Sequence, residues 1–342
     1  MPSDSRDYFA AGLARVRRHL HLPPVADFAA LGSFILDYIY LLAGLVGLFL
    51  GGEALVRGSV GIAQRLAIPP LLIGLTVVGF GTSTPELLVS VDTALRGVPD
   101  IALGNVIGSN IANILLIVGI SALVWPIRVM RGTLGRDTGV MMLAALVLVP
   151  VFAMGLLSRP VGAALFGGLI AYLVWAYRQS RLEPSPVEEI AGVPAKLVVS
   201  IMWVVGGLAA LMLGARFLVD GAVSIAREFG LSEAFIGLTI VAVGTSLPEL
   251  ATSLIAALRK QSEIAIGNIV GSNIFNILGI LGLTAVIAPV PVAPRFMMFD
   301  LPILIAVSAI LTGLLLLRPS IGRGIGLIFV LAYALYIWAA QG

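Results

Sequence analysis

Two short motifs carry the chemistry of this chain. The first is Gly81-Thr82-Ser83-Thr84-Pro85-Glu86, and the second is Gly244-Thr245-Ser246-Leu247-Pro248-Glu249. Each lies in the middle of an apolar segment, where a carboxylate costs several kcal/mol unless it is paired, solvated or holding a cation. On a helix, Thr82 and Ser83 stand four and three residues before Glu86, so both hydroxyls share its face. Thr245, Ser246 and Glu249 repeat the arrangement. Pro85 and Pro248 each remove a backbone donor and crowd the carbonyl four residues earlier. The helix is expected to bend or break there and to free carbonyl oxygens, which is tolerated at membrane depth only beside a polar cavity.

A second pair of motifs follows: Gly104-Asn105-Val106-Ile107-Gly108-Ser109-Asn110-Ile111-Ala112-Asn113, and Gly267-Asn268-Ile269-Val270-Gly271-Ser272-Asn273-Ile274-Phe275-Asn276. Ser109 and Asn113 share a helix face, as do Ser272 and Asn276. The four motifs together offer two carboxylates, hydroxyls, amides and freed carbonyls, which is an oxygen set for a hard cation. Two carboxylates neutralise one divalent ion. Empty, they repel by about 4 kcal/mol at 4 Å and an effective dielectric of 20. Such a site must take up a cation or a proton, and competition for it is the physical basis of exchange. Taken singly, each Ser or Asn is explained equally well as glue between helices. The two glutamates at matched depth are not.

Composition says what must position these residues. Of 342 residues, 59% are hydrophobic and 11% charged, against roughly 25% charged in a soluble domain. Mean hydropathy is +1.07. The chain is expected to be an integral membrane protein with no large soluble catalytic domain. It has no Cys, and its two histidines, His19 and His21, lie in the polar N-terminal stretch. Disulfides, thiolate metal sites and imidazole chemistry at membrane depth are thereby excluded.

Apolar segments fall at about 34–66, 70–95, 99–124, 134–155 and 160–178, then at 196–229, 232–258, 262–288, 298–317 and 321–340. The domain plan is a polar tail at 1–32, a first five-helix repeat at 33–178, a polar linker at 179–194 and a second repeat at 195–342. Ile73–Gly119 aligns with Ile236–Gly282 at a constant offset of 163, with 28 of 47 positions identical. The shared positions include Gly, Ser, Thr, Asn, Pro and Glu, which hydrophobicity alone does not dictate. Five spans per half is an odd number, so the second half enters the membrane from the opposite side. The fold class expected is an all-α membrane protein, ten helices in two inverted-topology repeats with broken helices at the core. With the linker in the cytoplasm, twelve basic residues fall inside and five in outer loops or outer helix ends, in keeping with the positive-inside rule, while the four arginines of the N-terminal tail, also outside, argue mildly against it.

The paired motifs resemble the alpha repeats of the cation/calcium exchanger superfamily, specifically its prokaryotic sodium/calcium exchanger branch. The resemblance covers essentially the whole chain from residue 33. It implies ion sites at the repeat interface, lined by the second, third, seventh and eighth spans. Carried over by motif position, the ligands implied are Thr82, Ser83, Glu86, Ser109 and Asn113, with Thr245, Ser246, Glu249, Ser272 and Asn276. Backbone carbonyls at Gly79 and Ala242 join them by the same resemblance. It also implies that the long first and sixth spans move as a gate. Some relatives carry aspartate where this chain has Asn276, and in the potassium-dependent branch an acid there goes with potassium use. The proton/calcium branch usually places an acid within the Gly-Asn segment, and here none follows Asn105 or Asn268.

The expected function is secondary antiport by alternating access, with sodium entering and calcium leaving the cytoplasm. Sodium and calcium are substrates, no cofactor is implied, and the chain is not expected to be an enzyme. The cell (inner) membrane is its expected location and lipid its expected surroundings, with no nucleic acid and no obligatory protein partner. A calcium/proton or other cation antiporter is the alternative. A calcium channel and an intramembrane hydrolase are remote ones, the hydrolase lacking both a membrane histidine and the paired-aspartate glycine motif. Glu53 and Arg57 are expected to form an i,i+4 ion pair, as are Arg216 and Asp220 with the signs reversed. Asp92 is expected near the outer surface, where it would attract cations. Trp125, Trp175, Trp203 and Trp338 fall near span ends as an aromatic belt.

Overall fold

The computed structural model describes residues 25–128, 133–180, 193–194, 196–229, 242–318 and 320–340, with side chains described from residue 35 onward in the first helix. Nearly all of this is helix. The polar tail up to residue 24, most of the linker, and residues 230–241 at the start of the expected seventh span lie outside the described residues.

Helix α1 (Val25–Leu66) begins inside the stretch expected as tail. It is followed by α2 (Pro70–Thr82), α3 (Thr84–Leu95) and α4 (Pro99–Val124). Strand β1 (Ile127–Arg128), α5 (Thr133–Ala153), β2 (Leu156–Leu157) and α6 (Arg159–Ser180) complete the first half. The second half runs α7 (Leu197–Glu228), α8 (Ala242–Thr245), α9 (Leu247–Leu258) and α10 (Ser262–Ile287). Strand β3 (Val290–Pro291), α11 (Phe296–Leu317), β4 (Ser320–Ile321) and α12 (Arg323–Ala340) close it.

Among the described residues, eight helices are long and apolar enough to cross a membrane, and the bent pair α2 and α3 makes a ninth span. The two-residue strands give an independent check on topology. Strand β1 pairs with β4, and β2 with β3, both antiparallel. Each pairing joins the two halves and requires its strands to lie on one side of the bilayer. In a ten-span chain, six spans separate β1 from β4 and four separate β2 from β3. Both numbers are even, as same-side pairing demands.

Helices α4 and α10 form the centre. Their apolar windows are 78% and 83% buried, against 17–44% for the other spans. Helices α5, α6, α11 and α12 pack against them, and residues such as Leu143, Ile170, Ile310 and Leu331 are exposed apolar side chains, as a lipid-facing surface requires. Helices α1 and α7 pack chiefly on each other. Gly44, Gly51 and Gly58 recur every seven residues on α1, and Gly207, Gly214 and Gly221 stand 163 residues later on α7. A Cβ on Gly51 would lie 2.7 Å from the Leu211 nitrogen, and one on Gly214 would lie 2.7 Å from the Leu48 nitrogen. The two backbones therefore touch along a smooth seam, which only small residues permit.

Three central helices contain wider π turns, at Gly74–Val78 in α2, Asn113–Ile117 in α4 and Phe275–Leu281 in α10. Asn113 opens one of these turns and Asn276 lies within another. Such turns recur at functional sites because they redirect side chains within a continuous helix.

Candidate functional site

The break in the second span falls at Ser83, whose φ of −83° and ψ of 8° lie outside the helical well. Helices α2 and α3 meet there at 45°. Pro85 takes the second position of α3, where its missing N–H costs nothing, and Glu86 follows in the first turn. Ser246 breaks the other half in the same way, with φ −90° and ψ 6°, followed by Pro248 and Glu249 in the first turn of α9. The helix is interrupted one residue before each Thr/Leu-Pro-Glu segment. Each carboxylate stands at a helix N-terminus, where the backbone dipole favours negative charge.

Both carboxylates are buried, at 1% exposure each, and they lie close enough to interact electrostatically. The polar groups around them knit the two halves together. The Ser83 hydroxyl donates to Glu249 Oε1 at 2.9 Å. Thr82 donates to Asn268 Oδ1 at 3.1 Å, and Ser272 to the Gly79 carbonyl at 3.2 Å. The Asn276 amide donates to Ser109 Oγ at 3.1 Å, and the Asn113 amide to Asn273 Oδ1 at 3.0 Å. Each of these five bonds joins one half to the other. Ser246 stands beside Glu86 as the counterpart of Ser83 beside Glu249, but without hydrogen-bond geometry.

The groups left over are oxygens. Both Glu86 oxygens, Glu249 Oε2, Asn113 Oδ1, Asn276 Oδ1 and Ser246 Oγ are buried with no hydrogen-bond partner. A buried anionic or amide oxygen without a donor is costly. Five of them and one hydroxyl, drawn from the two pairs of motifs, fit a cation, which would satisfy several at once. Among the described residues, no three His, Cys, Asp or Glu side chains come together. The two acids are thus supplemented by neutral hydroxyl and amide oxygens, the donor chemistry of a hard cation.

Every sequence-derived candidate has a definite place. Thr82, Ser83, Glu86, Ser109, Asn113, Ser246, Glu249, Ser272 and Asn276 are buried, and Thr245 is half-buried. Ala242 opens α8, and its side chain lies outside the described residues. The Gly79 carbonyl, expected to be free, accepts from the Ser83 amide at 3.2 Å as well as from the Thr82 and Ser272 hydroxyls. It is a meeting point of the halves rather than a bare ligand, and the Ser272 hydrogen must rotate away before a cation can use it.

Several residues escaped the sequence reasoning. Asn105 donates to the Glu86 carbonyl at 3.0 Å and to Ser90 Oγ at 2.9 Å. Asn268 donates to the Glu249 carbonyl at 3.3 Å and to Ser253 Oγ at 2.9 Å. Ser90 and Ser253 are identical positions four residues beyond the glutamates, and that spacing was the available signal. A second matched acid pair also exists, Asp137 and Asp300, again 163 residues apart and 1% and 3% exposed. Tyr172 donates to Asp137 at 3.1 Å and Tyr336 to Asp300 at 2.9 Å. Arg295 also bonds Asp300, at 3.3 Å. Lying in α5 and α11, outside the motif repeat, these pairs clamp flanking helices.

Glu53 and Arg57 form the expected ion pair, with Arg57 Nε 2.5 Å from Glu53 Oε1. Arg259, at the end of α9, also binds both Glu53 oxygens. Arg216 and Asp220 stand 3.8 Å apart on an exposed surface. Asp92 pairs with Arg96 at 2.7 Å, also exposed.

Comparison with known proteins agrees with this geometry. The family model "Sodium/calcium exchanger protein" matches residues 36–178 and 199–341. The putative antiporter CaxA of Alkalimonas amylolytica is 44% identical over 73% of this chain and 81% of its own length. The inner membrane protein YrbG of Escherichia coli is 37% identical over 87% of this chain and 96% of its own. The sodium/calcium exchanger MaX1 of Methanosarcina acetivorans is 33% identical over 88% and 97%. Among solved structures, the sodium-calcium exchanger NCX_Mj soaked with zero Na+ and Ca2+ superposes with a TM-score of 0.78 at 33% identity, covering 90% of this chain and 99% of that one. With both repeats matched and the ion-exchange motifs brought together at their interface, the chain belongs to the sodium/calcium exchanger protein family.

Proposed function

We propose that this protein is a sodium/calcium antiporter that uses inward sodium flow to export calcium, by alternating access to one oxygen-lined site. The observation that carries the reading is the pair Glu86 and Glu249: buried, from opposite halves, and with three of four carboxylate oxygens unpartnered. Their combined charge matches one calcium ion, and the same oxygens serve sodium ions in its place. Thr82, Ser83, Ser109 and Asn113, with Thr245, Ser246, Ser272 and Asn276, complete the ligand set, together with the carbonyls of Gly79 and Ala242.

Alternating access needs one body to move against another. Helices α1 and α7 suit that role, because they pack chiefly on each other and their shared glycine seam presents little relief. The two repeats, 33–178 and 195–342, form a pseudo-symmetric core with the 179–194 linker in the cytoplasm. The location is the cell membrane, consistent with the inner-membrane relative. The reaction is transport alone, with no covalent step, resident cofactor or obligatory partner.

The same unpartnered carboxylates accept protons as well as metal ions, which keeps calcium/proton exchange as a second reading. Flux in proteoliposomes separates the two. Calcium uptake is expected to follow an imposed sodium gradient and to be indifferent to a proton gradient. Uptake that follows the proton gradient and ignores sodium would overturn sodium coupling.

A further inference from the structure

Thr82 has one hydroxyl hydrogen, two acceptors within hydrogen-bond distance and a carboxylate nearby. Its Oγ lies 3.1 Å from Asn268 Oδ1 and 3.3 Å from the Gly79 carbonyl, and the Glu249 carboxylate stands beside it without hydrogen-bond geometry to it. One hydrogen serves one of these well at a time. The choice decides what Thr82 offers an ion. A hydrogen aimed at Glu249 occupies a carboxylate lone pair and points into the space a cation needs. A hydrogen aimed at Gly79 crowds a carbonyl that already accepts from Ser272 and from the Ser83 amide. A hydrogen given to Asn268 leaves both Thr82 lone pairs and the Glu249 carboxylate open.

Asn268 is built to take that hydrogen. It is fully buried, and its Nδ2 makes two donations to α9, at 3.3 Å to the Glu249 carbonyl and 2.9 Å to Ser253 Oγ. These fix the amide plane and leave Oδ1 facing Thr82. Turned over, the amide would set Oδ1 against the Glu249 carbonyl, two acceptors with no hydrogen between them. Asn105 makes the same two donations in the first half, to the Glu86 carbonyl and Ser90. The amide anchor is therefore a repeated device.

We infer that Asn268 is a positioning residue for the cation site: by accepting the Thr82 hydrogen it turns the Thr82 lone pairs toward the ion, and so sets calcium affinity without touching calcium. This rests on Thr82 and Glu249 being ligands, as proposed above. Calcium titration calorimetry on the full-length purified protein tests it. Asn268→Leu is expected to weaken calcium binding about tenfold, the size of one misdirected hydrogen bond to a charged group. Asn268→Asp keeps the acceptor and loses both donations, and it is expected to bind calcium at least as tightly as the parent. Thr82→Ala weakens binding by itself, and adding Asn268→Leu to it is expected to cost less than about threefold more, because the partner is already gone. Weakening by Asn268→Asp equal to that by Asn268→Leu overturns the inference and leaves a scaffolding role through the donations. So does a double variant that multiplies the two single effects. If Asn268→Leu fails to fold, the aspartate variant decides alone. A parent protein that binds no calcium overturns the exchanger reading itself, and the inference with it.

Discussion

The Ser83 hydroxyl of the first half donates to Glu249 of the second at 2.9 Å. These residues are 166 positions apart in the chain and stand at the two helix breaks. One half thus supplies a donor to the other half's carboxylate, while the carboxylate of Glu86, the symmetry mate of Glu249, has no hydrogen-bond partner. The inequality leaves Glu86 as the more open of the two acids for a cation.

Removing either acid removes half of the fixed charge. Glu86→Gln and Glu249→Gln are each expected to lower calcium exchange in proteoliposomes at least about a hundredfold, or about 2.7 kcal/mol. Calcium should raise the thermal midpoint of the parent by mass action and leave that of either variant unmoved. Parental flux in either variant would place the site elsewhere.

Adding an acid should have the opposite effect on affinity. Asn276 Oδ1 is a buried oxygen with no partner, so Asn276→Asp puts a third negative charge beside the ion. Calcium binding is expected to tighten about tenfold, while the maximal exchange rate falls because release is slower. Calorimetry and flux measured on the same preparation check both halves of this expectation. Unchanged affinity would mean that Asn276 does not face the ion.

The close approach of α2 to α10 fixes where the ligands of α2 sit. A Cβ on Gly271 would lie 2.3 Å from the Leu75 carbonyl oxygen and 2.6 Å from its Cα. Both are backbone atoms and cannot rotate away. Gly271→Ala is expected to destabilise by about 1–3 kcal/mol and to weaken calcium binding, since Thr82 and Ser83 shift with α2. Gly168→Ala, at an exposed position on α6 with open space around a Cβ, is the control and should not lower the thermal midpoint or change affinity.

Glu53 holds two arginines, Arg57 on its own helix and Arg259 at the end of α9. Arg259 is 41% exposed, so screening limits its pair to about 1 kcal/mol or less. Glu53→Gln is expected to destabilise more than either Arg57→Gln or Arg259→Gln, because it leaves two cations facing each other. The difference should shrink between 50 and 500 mM choline chloride. Thermal unfolding of the three variants at both salt concentrations measures it. On the other face the symmetry positions are Arg216, Asp220 and Arg96, so the same latch cannot form there.

How much of this was legible depends on the kind of signal. Glu86 and Glu249 stood out because a carboxylate amid apolar residues is rare, and repetition at one offset removed the doubt. The helix break was legible from Pro85 and Pro248, although the pivots proved to be Ser83 and Ser246. The π turns at Asn113 and Phe275 were not, because packing between helices, rather than residue type, selects an extra residue per turn. Asn268 read as one amide among several. Only its partners, Thr82 and Ser253, distinguish a positioning role from a ligand. Asp137 and Asp300 were overlooked because an acid near a helix end and an arginine reads as an interfacial charge. Their tyrosines, moreover, stand 164 rather than 163 residues apart. The local pair Glu53 and Arg57 was visible, whereas Arg259, 206 residues from Glu53, was not.

The central claim is that sodium and calcium compete for one site built on Glu86 and Glu249. Calcium titrations of the purified protein at rising sodium concentration, with choline holding ionic strength constant, test it most directly. The account predicts that sodium raises the apparent calcium dissociation constant progressively, more steeply than in direct proportion, without lowering the number of calcium ions bound at saturation. A calcium affinity that does not change with sodium would contradict it.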